Sequence, residues 1–325
     1  MDSHRISSLK ILWIKHYLCD IILVRNWGDT MSDIAKEILD NVDISIEGIS
    51  EEGLKNIQIK VNDISKEWEE IGITNDFIFC KIMQDKELLA ELIRMILPEV
   101  EFTDLIITAQ KSIELGRDIH GVRFDIYVKS DDGTVIEIEM QVLNRGNLPR
   151  RFRFYSSMAD SDMLEKGVVY SNLKDSYIIA ICPFDYYDKG LHKYTFTNRC
   201  HEIPELEMND GTTKIVLNAV GTADDVHGSL KEFLDYVAGK PSDDEYVKKL
   251  EAAVYKARQN KEWRREYMTL IMRDLENREI GIEEGQKRII ERLLRKGKTV
   301  EEIVDLCDVP FELVESVKES LLVSQ

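Results

Sequence analysis

The residues best suited to chemistry fall in one stretch: Val122-Arg-Phe-Asp-Ile-Tyr-Val-Lys129, then Asp131-Asp132-Gly133, then Thr134-Val-Ile-Glu-Ile-Glu-Met-Gln141. Apolar and polar residues alternate on both sides of a turn signal, which predicts two antiparallel strands. In the first strand Val122, Phe124, Ile126 and Val128 point one way, and Arg123, Asp125, Tyr127 and Lys129 the other. In the second, Ile136, Ile138 and Met140 oppose Glu137, Glu139 and Gln141. Only one parity of register puts the two apolar faces together. It sets Asp125 opposite Glu139, Tyr127 opposite Glu137 and Arg123 opposite Gln141. Asp131, Asp132 and Gly133 then form the loop, with Gly where a left-handed backbone is needed.

Like charges directly opposed in a sheet are destabilising. Mg²⁺ held by Asp125 and Glu139 would offset this, because hard oxygen ligands on one face are what that cation uses. Mn²⁺ could substitute. The same alternation also describes the wet face of a half-buried sheet, with Arg123 and Lys129 neutralising the acids. The pattern alone leaves both readings open. Just beyond the hairpin, Arg145, Arg150, Arg151 and Arg153 follow one another with no acid between them. Such a strip suits nucleic-acid phosphates, which fix register without reading sequence. Tyr155 lies one helical turn after Arg151. The competing reading is a charged helix start held by nearby acids.

Other elements must position these groups. Thr74-Asn75-Asp76 is an N-cap cluster. After it, Phe77, Ile78, Ile82, Met83, Leu88, Leu89, Leu92, Ile93, Ile96 and Leu97 recur at helical spacing up to Pro98, predicting one or two helices. Strands are predicted at Leu105–Ile113, Ser176–Cys182, Tyr194–Thr197 and Lys214–Asn218, and a helix at Leu148–Lys166. From Val226 the chain turns helical, with helices at 227–238, 243–258, 261–277 and 283–296 and a final pair near 299–306 and 310–321. That order predicts an α/β (α+β) fold with a helical C-terminal region. The expected divisions are an extension over 1–30 that precedes a second start at Met31, an acidic lead-in over 31–70, a core over 71–225 and a helical region over 226–325. The terminal pair resembles a helix-turn-helix. Its second helix carries Glu312, Glu315 and Glu319 against Lys318, which suits self-packing or a homo-oligomer contact better than a DNA groove.

Lys and Arg number 43 and Asp and Glu 61, a net charge of −18 that excludes bulk coating of nucleic acid. Hydrophobic residues at 43% are enough to build a core. Cys19, Cys80, Cys182, Cys200 and Cys307 are odd in number and form no C-x-x-C pair, which reads as reduced thiols of a cytoplasmic protein. No segment is long and apolar enough to span a membrane. H-E-x-x-H, P-loop and G-x-S-x-G patterns are absent.

Asp125, the turn and Glu139-Met140-Gln141 resemble the metal-binding hairpin of the PD-(D/E)XK nuclease superfamily. More narrowly, the chain is similar to the recombination-promoting nuclease/transposase family within it. The matching stretches are Thr74–Glu99, Gly121–Gln141, the R-x-x-x-Y of Arg151 and Tyr155, Gly167-x-x-Tyr170 and Ser176–Asp185, and the likeness covers about residues 71–280. Gly281-Ile-Glu-Glu-Gly285 is similar to that family's glycine-spaced ends. The resemblance implies a restriction-endonuclease-like mixed sheet flanked by helices, a Mg²⁺-dependent DNA endonuclease, and Asp125 and Glu139 as its metal ligands. Gln141 stands where the superfamily has a lysine, and Phe124 where it has a proline. A neutral amide can orient the attacking water but cannot deprotonate it. The resemblance also implies an acid from the first helix, for which Glu91 is the candidate, with Glu87 one turn earlier. Two other classes compete: a nucleic-acid-binding or regulatory protein on a decayed nuclease core, and a helical assembly protein.

Overall fold

A computed structural model describes residues 51–113, 121–163 and 169–323. The expected extension over 1–30 and the first half of the lead-in, 31–50, lie outside the described residues. The rest of the lead-in is regular: Glu51–Glu70 forms helix α1, which buries Val61, Ile64 and Trp68 along one face. Contacts divide the chain into two units. One is Glu67–Trp263. The other is Arg264–Gln325 with the described residues up to Lys66.

In the Glu67–Trp263 unit, the run after Asn75 breaks into α2 (Asp76–Ile82) and α3 (Lys86–Ile96). Asn75 caps the first by accepting from the Phe77 and Ile78 amides, and Asp85 caps the second in the same way. The strands are β1 (Leu105–Ala109), β2 (Ser112–Ile113), β3 (Val122–Arg123), β4 (Ile126–Ser130), β5 (Val135–Met140), β6 (Ser176–Cys182), β7 (Lys193–Phe196) and β8 (Thr212–Asn218). Six of them form a mixed sheet in the order β1-β4-β5-β6-β8-β7. β5, β6 and β8 run parallel, and β1, β4 and β7 are antiparallel to their neighbours. Helix α4 (Leu148–Met163) makes the connection between β5 and β6. It packs Leu148 and Phe152 on Ile178, Ala180 and Cys182, and Met158 and Ala159 on Tyr127 and Val135.

The hairpin has the register read from its pattern. Tyr127 pairs with Glu137 and Ile126 with Ile138, and Gly133 closes the loop at φ +94°. Two expectations fail. First, the strand predicted over Val122–Lys129 bends at Asp125 into β3 and β4, and its partner bends at Gln110, whose φ is +53°. The bend carries Phe124 to the α4 side, where its ring meets Tyr155 edge-on at 5.2 Å. Second, the polar face is not wet along β5, while Arg123 and Lys129 on the facing chain stay exposed. All six residues of β5 are buried, because α4 covers the side on which the acids stand.

Helices α5 (Gly228–Val237) and α6 (Glu245–Gln259) belong with the sheet to the Glu67–Trp263 unit. The reason is apolar. Phe233, Leu234, Val247 and Leu250 are fully buried, and the buried Tyr246 hydroxyl donates to the Leu88 carbonyl at 3.1 Å. In the other unit, the helices expected at 261–277 and 283–296 are one, α7 (Lys261–Arg295), running through Gly281 and Gly285. The terminal pair is α8 (Val300–Cys307), opened by a Thr299/Glu302 capping box, and α9 (Phe311–Val323). It packs on itself and on Ile290 through Val300, Ile303, Val314 and Val317. Among the described residues no helix is long and apolar enough to cross a membrane, and Cys80, Cys182, Cys200 and Cys307 are unpaired.

Candidate active site

Asp125 and Glu139 face each other across the end of the hairpin, and each carboxyl accepts from a backbone amide of the other's strand. The Asp125 amide donates to Glu139 Oε1 at 3.0 Å, and the Met140 amide donates to Asp125 Oδ2 at 3.0 Å. The bend at Asp125 makes this possible, since its amide no longer serves a regular ladder. On the other side its carbonyl accepts from Gln110 and from the Cys80 thiol.

Helix α4 brings Arg151 over the pair. Its Nη2 donates to Glu139 Oε2 at 3.1 Å and to the Tyr155 hydroxyl at 3.2 Å. Its Nη1 donates to Gln141 Oε1, and Gln141 Nε2 donates to the Leu143 carbonyl. Both ends of the Gln141 amide are therefore engaged by the protein. The guanidinium also lies 5.2 Å from the Tyr155 ring centre. The end of the hairpin and helix α4 thus bring Asp125, Glu139, Gln141, Arg151 and Tyr155 together. Arg145, Arg150 and Arg153 are exposed just before and on α4.

Glu91 is not among them. It forms an ion pair with Lys249 at 2.7 Å and lines a cleft of about 380 Å³ with Glu87, Arg94 and Phe102, away from the acid pair. The acid of the first helices whose charge acts on Asp125 is Asp76, at the start of α2. The sequence shows Asp76 only as part of a capping cluster, and helical periodicity does not say which acid faces a distant hairpin. Glu137, which the pattern places on the same face as Glu139, differs from it in its surroundings. It is wholly buried, and neither of its carboxyl oxygens has a hydrogen-bond partner.

The electrostatics follow from burial. Desolvation raises the Asp125 carboxyl, and the Asp76 charge adds to it, against the Met140 amide, Arg151 and Arg123. Desolvation also raises Glu139, followed by repulsion from Asp125, against Arg151. Glu137 is pushed up to about 9 by burial and then by Glu139 and Asp160. Two acids held close, with Arg151 paired to one of them, are oxygen donors of the kind a divalent cation takes. Among the described residues no three His, Cys, Asp or Glu side chains gather as a metal site. Mg²⁺ commonly takes one or two carboxylates and fills its remaining positions with water and substrate phosphate, so two acids are enough of a protein contribution for it.

The bent hairpin with its paired acids, the parallel strand pair and the arginine-bearing helix form a mixed α/β core similar to that of PD-(D/E)XK nucleases. Residues 73–210 match a family model, that of the PD-(D/E)XK nuclease family transposase. The matched span holds Asp76, Asp125, Glu139, Gln141, Arg151 and Tyr155. No curated protein matches the chain. No solved structure matches it either.

Proposed function

We propose that the chain is a Mg²⁺-dependent DNA endonuclease of the recombination-promoting type, hydrolysing phosphodiester bonds at the site formed by Asp125 and Glu139. The observation that carries this reading is the reciprocal clasp of the two acids, which fixes both carboxyl groups at one point of the sheet. A divalent cation held by Asp125, Glu139 and the Met140 carbonyl would act as a Lewis acid on the scissile phosphate and lower the pKa of an attacking water. Arg145, Arg150 and Arg153 bind flanking phosphates, while Arg151 and Tyr155 line the approach to the acids. Arg151 and Leu143 each engage one end of the Gln141 amide, which leaves it one N–H and one lone pair for a water. That occupancy also favours a second reading, a nucleic-acid-binding or regulatory module that cuts weakly or not at all.

One assay separates the two. Supercoiled plasmid with Mg²⁺ is nicked by the wild type, and nicking falls by about 10³-fold or more in Asp125→Asn and in Glu139→Gln. Plasmid binding without any nicking supports the module. Nicking undiminished in both variants ends the assignment of these acids.

A further inference from the structure

Gln141 stands where the motif calls for a lysine, yet the site does not lack a cation. Arg151 Nη2 lies 3.1 Å from Glu139 Oε2, and Nη1 donates to Gln141 Oε1. We propose that Arg151 is the cation this site sets against the scissile phosphate in place of the motif lysine, and that Gln141 is its positioning residue. The proposal rests on the nuclease reading for its substrate, and on the hydrogen bonds alone for its geometry.

The amide is suited to the task. With Nε2 given to the Leu143 carbonyl, the oxygen of Gln141 is turned to Arg151 as an acceptor. A lysine at 141 has no acceptor to offer and would put a second positive charge beside the guanidinium. Glutamine at 141 and arginine at 151 therefore belong together, and the site's single cation has moved from β5 to α4. The protein contacts use three of the five guanidinium N–H groups, which leaves two for phosphate oxygens. The side chain is 28% exposed, so the guanidinium is open to a ligand while Glu139 beneath it is 6% exposed. Arginine suits this role, because its planar fork can hold a carboxylate and a phosphate at once.

Four full-length proteins test it: wild type, Arg151→Met, Gln141→Lys and the double variant Gln141→Lys/Arg151→Met. Their sites carry one, none, two and one of these cations. The first readout is Mn²⁺ binding without DNA, which needs no catalysis. Affinity should run Arg151→Met tightest, then wild type and the double variant together, then Gln141→Lys weakest. The second is steady-state nicking with Mg²⁺. In Arg151→Met kcat should fall by about 10²–10³ with KM for DNA changed less than about fivefold. Gln141→Lys should be similarly impaired, and the double variant should recover at least about tenfold over Arg151→Met, which a merely misfolded site would not do. A flat or reversed Mn²⁺ order overturns the charge arrangement whatever the nicking shows. Unchanged kcat in Arg151→Met, or no recovery in the double variant, overturns the catalytic role. A wild type that does not nick defeats the nuclease reading, and the Mn²⁺ order then decides the arrangement by itself.

Discussion

Glu137 lies opposite Tyr127 in the register, beside Ile178, with both carboxyl oxygens buried and unpartnered. Its pKa near 9 lies above the usual carboxylate range, so the native protein keeps a proton that the unfolded chain has lost. Between roughly pH 4.5 and 9 the unfolded state binds fewer protons, and stability falls as pH rises. In EDTA, Glu137→Gln should match the wild type in urea denaturation near pH 5. Near pH 9 it should exceed the wild type by on the order of a few kcal/mol. Parallel pH profiles for the two proteins would show that Glu137 is not protonated in the fold. Nothing in the alternation of β5 distinguishes Glu137 from Glu139, because period two reports which face a residue is on and not what covers that face.

At the scale of elements, α4 decides the character of the site. It desolvates the acids through Met158 and Ala159, supplies Arg151, and exposes Arg150 and Arg153. If these two bind phosphates, Arg150→Gln/Arg153→Gln should weaken DNA binding evenly across sequences and lower the slope of log K against log salt by roughly 1.8. Titrations in Ca²⁺ at several salt concentrations measure it, and an unchanged slope would place the DNA elsewhere. The hairpin register was legible because only one parity joins Val128 to Ile136 and Ile126 to Ile138 on a buried face. The bend at Asp125 was not, since it answers to Gln110 on another strand, and such pairing is non-local. Nor was the continuity of α7 legible. Gly281 and Gly285 each disfavour a helix by about 1 kcal/mol relative to alanine. The ion pairs Lys287–Glu283, Arg288–Glu284 and Arg295–Glu291, one turn apart, help carry it through.

For the molecule as a whole, a net charge of −18 sets the background against which any DNA contact forms. In the proposed reaction the acid pair adds to that repulsion where a scissile phosphate would come closest. Divalent cation should therefore control binding as well as cleavage. A labelled duplex should bind at least about tenfold more tightly in Ca²⁺ than in EDTA, and the difference should shrink in Asp125→Asn/Glu139→Gln. Equal affinity in the two buffers would remove the acids from the binding surface. The apolar grouping of α5 and α6 with the sheet escaped the sequence for a related reason: helical periodicity marks a buried face without naming what it is buried against.

The clasp between Asp125 and Glu139 gives the protein an internal reporter. Two amide protons, those of Asp125 and Met140, are shielded by carboxylates and not by a neighbouring strand's carbonyls. Their hydrogen-exchange rates should therefore follow the acids. They should stay slow in Asp125→Asn and Glu139→Gln, whose amide oxygens still accept, and quicken in the alanine forms. Alanine at either position removes a proposed metal ligand and also unfastens the end of the hairpin, so the amide variants are the ones that separate chemistry from architecture.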